Sequence, residues 1–405
     1  MMNLSRRKLL MLGVAAAGSQ ILPQSLLAEP EPAAPTAPPP DLAGLPFLRK
    51  GSGPYRGIAR SLKGDELIKA RLTPETWQVE IIGDGVALEK PRKFDNGSAL
   101  DYATLVDLGK KHSVKVLKAM QCSTPLSNHA VWEGVPLREV VRLLGKVGDF
   151  QRINISGFHD PSNPQSHFHS VSASYAHVME NDPGDPPIIV AYRLNGAPIP
   201  QARGGPVRVI VPWAYGFRSV KSLQRLVLTS DPKPVNTYFK RSPDTNYVMT
   251  IAWPEGPFEF KSGRAITIRG MTVCGKEGLK GVEYWLRPDT GEEGRLREDD
   301  PAWKTATWQP CVLEPPPQDW KAHLPAGVSS KELWGFDPET GQPKEWPVRY
   351  SVGMWTAPLK DLKPGTYELR VRAVDQSGRA QPALPQNRDR AKSQNSIKCR
   401  IIKVT

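Results

Sequence analysis

Short stretches in which apolar and polar positions alternate run through the chain up to about Ser230 and predict β-strands. "WQVEII", which begins at Trp77, alternates in this way, and "VKVLKAMQC" predicts a second strand that ends at Cys122. "PPIIVAYRLNGAPIP" predicts a hairpin turning at Asn195-Gly196, because asparagine followed by glycine favours the tight turn between two strands. "PVRVIVP" is largely apolar and predicts a buried strand.

Two stretches of the same region have helical spacing. "SALDYATLVDLGKKH" predicts a helix capped by Ser98, and "PLREVVRLLGKVG" predicts a short amphipathic helix that ends at Gly145. The region up to Ser230 is therefore expected to mix helices and strands.

The pattern changes after Pro254. "RAITIRGMTV", "GVEYWLRP", "RYSVGMWTAPL", "GTYELRVRAVDQSG" and "SIKCRIIKVT" are short strand patterns separated by turn residues, and no amphipathic helical spacing occurs among them. Several short strands with Gly/Pro turns are typical of an all-β sandwich. A domain boundary is expected between residues 232 and 258.

The length of the chain agrees with this division. A chain of 405 residues is too long for one ordinary domain. The fold class we predict is α+β, with a mixed α/β domain at residues 44–240 followed by an all-β sandwich at residues 255–405.

The N-terminal residues resemble an export signal. Arg6 and Arg7 precede a short apolar segment rich in small residues, and a candidate cleavage site follows at Ala28. We predict a twin-arginine signal peptide at residues 1–28 and an extended Pro/Ala linker at residues 29–43. Because the apolar segment is short, no stable membrane span is expected in the mature protein, which is expected in the periplasm.

The charge of the chain narrows the class of ligand. The formal net charge is +13, which suits a small anionic ligand or an acidic partner. The basic residues are scattered among acidic ones, and no recognition helix or aromatic single-strand pattern accompanies them. We therefore expect no nucleic acid partner.

The four cysteines are unevenly distributed. Cys122 lies alone in the first predicted domain, whereas Cys274, Cys311 and Cys399 all lie in the second, where one disulfide could form. No Cys-x-x-Cys motif occurs, so a redox dithiol and covalently attached haem are not supported. Cys122 is open to two interpretations, an inert buried thiol or a thiolate ligand at a strand end.

Several motifs together resemble the sulfite oxidase family of molybdopterin enzymes. They are "MQCSTPLSNHAVWEGVPLREVVRLLG", "VAYRLNGAPIPQARGGPVRVIVPWAYGFRSVKSLQRLVLT" and, in the second domain, "WTAPLKDLKPGTYELRVRAVDQSG". The resemblance covers roughly residues 70–405. It implies an immunoglobulin-like dimerisation domain at the C-terminus and hence a homodimer.

The same resemblance implies a cofactor and a set of site residues. It implies that the Cys122 thiolate binds molybdenum beside molybdopterin and that Tyr247 is a catalytic candidate. The phosphate of the cofactor requires fixed cations and close backbone approach. The candidate cofactor-binding residues are Arg49, Arg203, Arg208, Gly216, Phe217, Arg218, Ser219 and Lys221.

One departure from the family's pattern concerns the substrate. Relatives that oxidise sulfite carry an arginine shortly after the cysteine, but this chain has none between Cys122 and Arg138. The histidines His129, His159, His167 and His169 receive no catalytic role, because His-x-His in a Pro/Ser/Asn-rich segment is more often a solvated loop than a metal site.

These observations predict a molybdenum-dependent periplasmic oxidoreductase that acts on a small anionic or sulfur-containing substrate. Without a haem, flavin or nicotinamide motif, its electrons are expected to pass to a separate protein, a c-type cytochrome. A sulfoxide reductase and a sulfane-sulfur dehydrogenase subunit are alternatives on the same scaffold. From a different class, a cofactor-free binding or assembly protein remains open.

Overall fold

The computed structural model describes residues 62–121, 128–159, 169–237, 247–297, 300–382, 396–397 and 399–405. All of them belong to one compact unit, Pro39–Thr405. No helix within these ranges is long and apolar enough to cross a membrane.

The first part of the described chain mixes helices and strands, as predicted. Its helices are α1 (Asp65–Lys69), α2 (Tyr102–His112) and α3 (Leu137–Arg142). Its strands are β1 (Gln78–Asp84), β2 (Leu100–Asp101), β3 (Val114–Met120), β4 (Asn128–Pro136), β5 (Arg152–Gly157), β6 (Ser170–Ser174), β7 (Ile189–Leu194), β8 (Ala197–Pro198), β9 (Arg208–Ile210) and β10 (Leu223–Thr229).

These strands form two sheets. One has the order β2-β1-β10-β5-β6, in which β1 and β10 run parallel. The other has the order β3-β4-β7-β8, and β9 pairs with β7 beside it. A shared hydrophobic core contains Trp77, Leu105 and Ile155, and the indole Nε1 of Trp77 donates to the carbonyl of Leu223 at 2.7 Å. This buried hydrogen bond satisfies the polar atom of a side chain that is otherwise entirely apolar in its contacts.

The predicted Asn-Gly hairpin is confirmed. β7 and β8 pair with Arg193 opposite Pro198, and the two turn residues Asn195 and Gly196 have φ angles of 53° and 79°. Asparagine and glycine tolerate this left-handed conformation better than other residues do.

The predicted cap of helix α2 was wrong by one turn. Asp101 caps the helix, because its Oδ1 accepts from the backbone N–H of Thr104 at 2.8 Å. Ser98 instead hydrogen-bonds with Asn96 inside the preceding turn, and Leu100 and Asp101 pair with β1 as strand β2. The helix therefore begins only after this short strand has ended.

The second part is made of strands, with only short 3₁₀ turns between them. Its strands are β11 (Ile251–Glu255), β12 (Glu259–Phe260), β13 (Ile266–Val273), β14 (Leu279–Pro288), β15 (Gln309–Pro310), β16 (Val312–Leu313), β17 (Val352–Leu359), β18 (Gly365–Asp375) and β19 (Cys399–Val404). They form a sheet β11-β13-β17-β16 and a sheet β12-β19-β18-β14-β15.

Side chains from both sheets share one hydrophobic core. Ile268 and Trp355 come from the first sheet, and Val282, Leu369 and Ile402 come from the second. Two sheets that bury a common core are a β-sandwich, as the strand spacing predicts. That this sandwich is of the immunoglobulin type stays a prediction.

The connection between β16 and β17 covers the sheet that contains β3. Its side chains Trp320 and Phe336 pack on Leu117 of β3 and Val131 of β4. Strand β3 is the last strand of its sheet, and two residues of the connection bind its outer edge: the N–H of Trp334 donates to the carbonyl of Lys115, and the N–H of Ala119 donates to the carbonyl of Tyr350 at 2.6 Å. The strand that precedes Cys122 is therefore held on both sides.

Candidate cofactor site

The end of β3 faces the turn formed by residues 212–218, which we call the 212–218 turn. The N–H of Gly216 donates to the carbonyl of Gln121 at 2.7 Å. The buried Nζ of Lys118 donates to the carbonyls of Pro212 at 2.6 Å and Ala214 at 2.7 Å. Strand and turn are thus joined by three hydrogen bonds immediately before Cys122, which itself lies outside the described residues, as does Arg49.

The side chain of Arg208, the first residue of β9, is buried among the segments around that strand. Its Nη1 donates to the carbonyl of Arg203 and its Nη2 to the carbonyl of Ser219, both at 2.8 Å. Its guanidinium carbon lies 4.9 Å from the centre of the Trp132 ring, a cation–π distance. Three of the predicted cofactor-binding residues, Arg203, Arg208 and Ser219, therefore lie together.

The other predicted residues adjoin this group. Arg218 is buried, and its Nη2 donates to the carbonyl of Ser172 at 2.8 Å. The ring Nε2 of His169 lies 2.9 Å from the carbonyl of Phe217. Gly204, whose φ is 85°, lies against the side chain of Lys221, where a side chain at position 204 would collide with it. The structure places the predicted residues of this segment in one region: Arg203, Arg208, Gly216, Phe217, Arg218, Ser219 and Lys221. Their role as cofactor ligands stays a prediction.

Several basic side chains lie close together in this region. Burial, and then the charge of Arg208, lower the pKa of Lys118 to about 7. Burial is also the main reason why the pKa of His169 falls to about 4, with the charges of Arg208 and Lys221 adding to it. Each shift disfavours the protonated form, mainly because burial penalises its charge and secondly because other basic groups lie nearby. An anionic group bound here would favour the protonated forms and would be stabilised by them.

The buried amide of Gln121 points to the same conclusion. Its side chain is 1% exposed, and neither its Oε1 nor its Nε2 has a hydrogen-bond partner within the ranges that the structure describes. A buried amide without a partner costs free energy, so such an atom marks a place where a ligand can bind. The residues at the end of β3 therefore fit a phosphate-bearing polar cofactor.

Tyr247 contacts the 212–218 turn. It pairs with Ala214 in an isolated β-bridge, and its ring centre lies 5.1 Å from that of Trp213. Its hydroxyl donates to Asp182 Oδ2 at 2.7 Å and lies 3.3 Å from His177 Nε2. These partners could not be predicted from the sequence, and the catalytic role of Tyr247 stays a prediction.

Asp182 also forms an ion pair with Lys276, a residue of the second part of the chain. Burial, and then the hydrogen bond to Asp182, raise the pKa of Tyr247. The ammonium of Lys276 lies 4.0 Å from the Tyr247 ring centre. The sequence offered no signal for this network, because its members are far apart along the chain.

The histidines that the structure describes do not form a metal site. His159 is exposed, and His167 lies outside the described residues. His129, on β4, is fully buried, and burial lowers its pKa to about 3. No group of three or more His, Cys, Asp or Glu side chains is placed to hold a metal ion in the described part of the chain.

The three cysteines of the second part carry free thiols, so the disulfide considered among them is not formed. Burial raises the pKa of Cys274 and of Cys311 to about 12. These thiols are therefore unreactive at neutral pH.

Comparison with known proteins gives a family for this fold and site. Residues 67–237 match the model of the oxidoreductase molybdopterin binding domain. The chain is 31% identical over 324 residues to the mitochondrial sulfite oxidase of Drosophila melanogaster, covering 77% of this chain and 52% of that protein. It is 32% identical over 156 residues to the protein-methionine-sulfoxide reductase catalytic subunit MsrP of Xanthomonas campestris, covering 38% of this chain and 44% of that protein.

A solved structure is similar in fold. The sulfane dehydrogenase SoxCD from Paracoccus pantotrophus superposes with a TM-score of 0.53 over 82% of this chain and 77% of that one, at 16% sequence identity. The chain spans about half the length of the curated relatives it matches.

The match over residues 67–237 identifies a molybdopterin-binding oxidoreductase domain. Residues 67–237 belong to the family of oxidoreductase molybdopterin binding domains, and the chain is similar to mitochondrial sulfite oxidases. This membership confirms the predicted enzyme class and the predicted cofactor, molybdopterin with molybdenum. It also removes the alternative of a cofactor-free binding protein.

Proposed function

We propose that this protein transfers an oxygen atom to or from a small sulfur compound at a molybdopterin-bound molybdenum. The observation that carries the proposal is the set of buried basic side chains near the end of β3, where Lys118, Arg208 and Arg218 are each 2% exposed or less. Basic side chains gathered in one region can hold an anionic ligand through charge-assisted hydrogen bonds. The phosphate of the family's cofactor is an anion of this kind.

The residues of the site divide the work of binding. Arg208, Arg218 and Lys221 would hold the phosphate, and Gly204 and Gly216 let the backbone approach the ligand closely. The Cys122 thiolate would bind the metal, since soft thiolates suit a redox-active transition metal. When bound, the cofactor would supply two-electron oxygen-atom chemistry, with water as the source or the product of the transferred oxygen, and the protein would orient it.

The direction of the reaction has two candidates. Oxidation of a sulfur oxyanion agrees with the similarity to sulfite oxidases. Reduction of a sulfoxide agrees with the similarity to MsrP and with the lack of an arginine between Cys122 and Arg138. A sulfane-sulfur dehydrogenase rests only on a likeness of fold.

Export and partners belong to the same proposal. Arg6, Arg7 and the apolar segment after them support twin-arginine export to the periplasm. A c-type cytochrome would exchange electrons with the metal, and the β-sandwich would form the interface of a homodimer.

The direction can be tested on the purified, molybdenum-loaded protein. Sulfite would be offered with oxidised cytochrome c, and methionine sulfoxide would be offered with a reduced viologen. Protein from tungstate-grown cells is a matched control, because it has the same sequence with an inactive metal. Turnover in one assay that the tungsten protein lacks assigns the direction, and a lack of turnover in both assays contradicts the proposed substrate class.

A further inference from the structure

Lys118 lies in a position that its residue type does not explain. It is on β3 between apolar neighbours, is 0% exposed, and directs its Nζ at two main-chain carbonyls. Lysine almost never lies fully buried unless its head group has a specific task. Both acceptors, Pro212 and Ala214, belong to the 212–218 turn.

This contact is one of several hydrogen bonds that hold the 212–218 turn and the residue after it against the neighbouring segments. Gly216, in the middle of the turn, donates its N–H to the carbonyl of Gln121. After the turn, Ser219 accepts through its carbonyl from Arg208 and through its Oγ from the N–H of Val211. Among the contacts of the described residues, the Lys118 head group is the only donor to the carbonyls of Pro212 and Ala214, which precede Gly216 in the turn. An apolar side chain at position 118 would leave them buried without those donors.

The protonation of Lys118 agrees with its contacts. Its pKa of about 7 leaves much of the amine uncharged at neutral pH, and an uncharged amine still has two N–H donors for the two carbonyls. The contact therefore persists in either charge state, and it does not depend on a neighbouring carboxylate.

We propose that Lys118 is a positioning residue that fixes the 212–218 turn to the end of β3, so that Gly216 and Arg218 are held ready for the cofactor. The inference rests on the proposed cofactor site at this strand end. Lys118 itself does not contact the reacting atoms in this account. Its role is to keep the turn in one conformation before the cofactor arrives.

Hydrogen–deuterium exchange of the full chain tests the inference without an activity assay. In Lys118→Met, peptides covering residues 213–219 should exchange at least about tenfold faster, because the turn opens more often. The matched control is Leu117→Ala, which removes a buried side chain from the opposite face of the same strand. That variant should melt at a lower temperature. The exchange rate in the 212–218 turn, compared with the rate in β10, should be the same as in the wild type.

The molybdenum and pterin content of each preparation is measured in parallel. If Lys118→Met exchanges like the wild type in the turn, or if Leu117→Ala opens the turn equally, the inference is wrong. If Lys118→Met does not fold, Lys118→Gln takes its place: its shorter side chain is not expected to reach both carbonyls, so unchanged exchange there also overturns the inference. A wild-type protein that holds no molybdenum would instead contradict the proposed function, since the exchange comparison does not need the cofactor.

Discussion

The buried amine of Lys118 should make the stability of the protein depend on pH in a way that one substitution removes. Its pKa is about 7 in the folded protein and 10.5 in an unfolded chain. Between these two values the unfolded state binds more protons than the folded state, so the free energy of unfolding rises with pH. The full difference corresponds to about 5 kcal/mol, because one pKa unit is about 1.4 kcal/mol.

Over an accessible range the expected effect is smaller. From pH 7.5 to 9.5 the wild type should gain about 2 to 3 kcal/mol in unfolding free energy relative to Lys118→Met. Other titrating groups are the same in both proteins and cancel in the comparison. Urea unfolding followed by tryptophan fluorescence at several pH values measures the difference.

If the difference in unfolding free energy between the wild type and Lys118→Met does not change with pH, the reasoning is refuted. It would mean that Lys118 keeps an ordinary pKa in the folded protein and that something else compensates its burial. The slope with pH is more informative than the stability at any one pH, because the slope counts protons alone.

Two further predictions concern neighbouring buried groups. Burial lowers the pKa of His129 to about 3, so the stability that its neutral form contributes above pH 6.5 is lost as the pH falls. Between pH 7 and 5 the unfolding free energy of the wild type, measured by urea unfolding, should fall by about 2 kcal/mol more than that of His129→Gln. Equal losses in the two proteins would show that His129 is not buried in its neutral form. Arg208→Met should lower the molybdenum content of the purified protein by about tenfold or more, because a charge-assisted hydrogen bond to phosphate contributes roughly 1.5 to 3 kcal/mol. Arg193→Met, at an exposed arginine of β7, is the matched control and should keep its metal; equal loss in both variants would count against a specific role for Arg208.

The local elements could be predicted from the sequence because their signals are local. The Asn195-Gly196 turn fixes its hairpin through backbone preferences of two adjacent residues. The strand patterns after Pro254 give an all-β second part because alternation with a period of two is visible within one strand. The order of the motifs indicated the family and predicted that Arg203, Arg208 and Lys221 lie in one region.

The burial of Lys118 could not be predicted in this way. A lysine in a strand pattern normally indicates a solvent-facing position, and Lys115 of the same strand is only partly buried. What encloses Lys118 is non-local: the 212–218 turn on its own face, and the connection before β17 on the other face, both distant along the chain. The partners of Tyr247, which include Lys276 of the second part, were missed for the same reason.

The most direct test of the account is the molybdenum content of Cys122→Ala beside Cys274→Ala, each exported and purified from a host that makes molybdopterin. Cys274 is a buried free thiol of the second part, so the same substitution there controls for the chemical change. We predict about one molybdenum per chain in the wild type and in Cys274→Ala, and a loss of the metal in Cys122→Ala, as expected of a thiolate ligand. A folded Cys122→Ala protein with its full molybdenum content would contradict the central claim that Cys122 binds the metal.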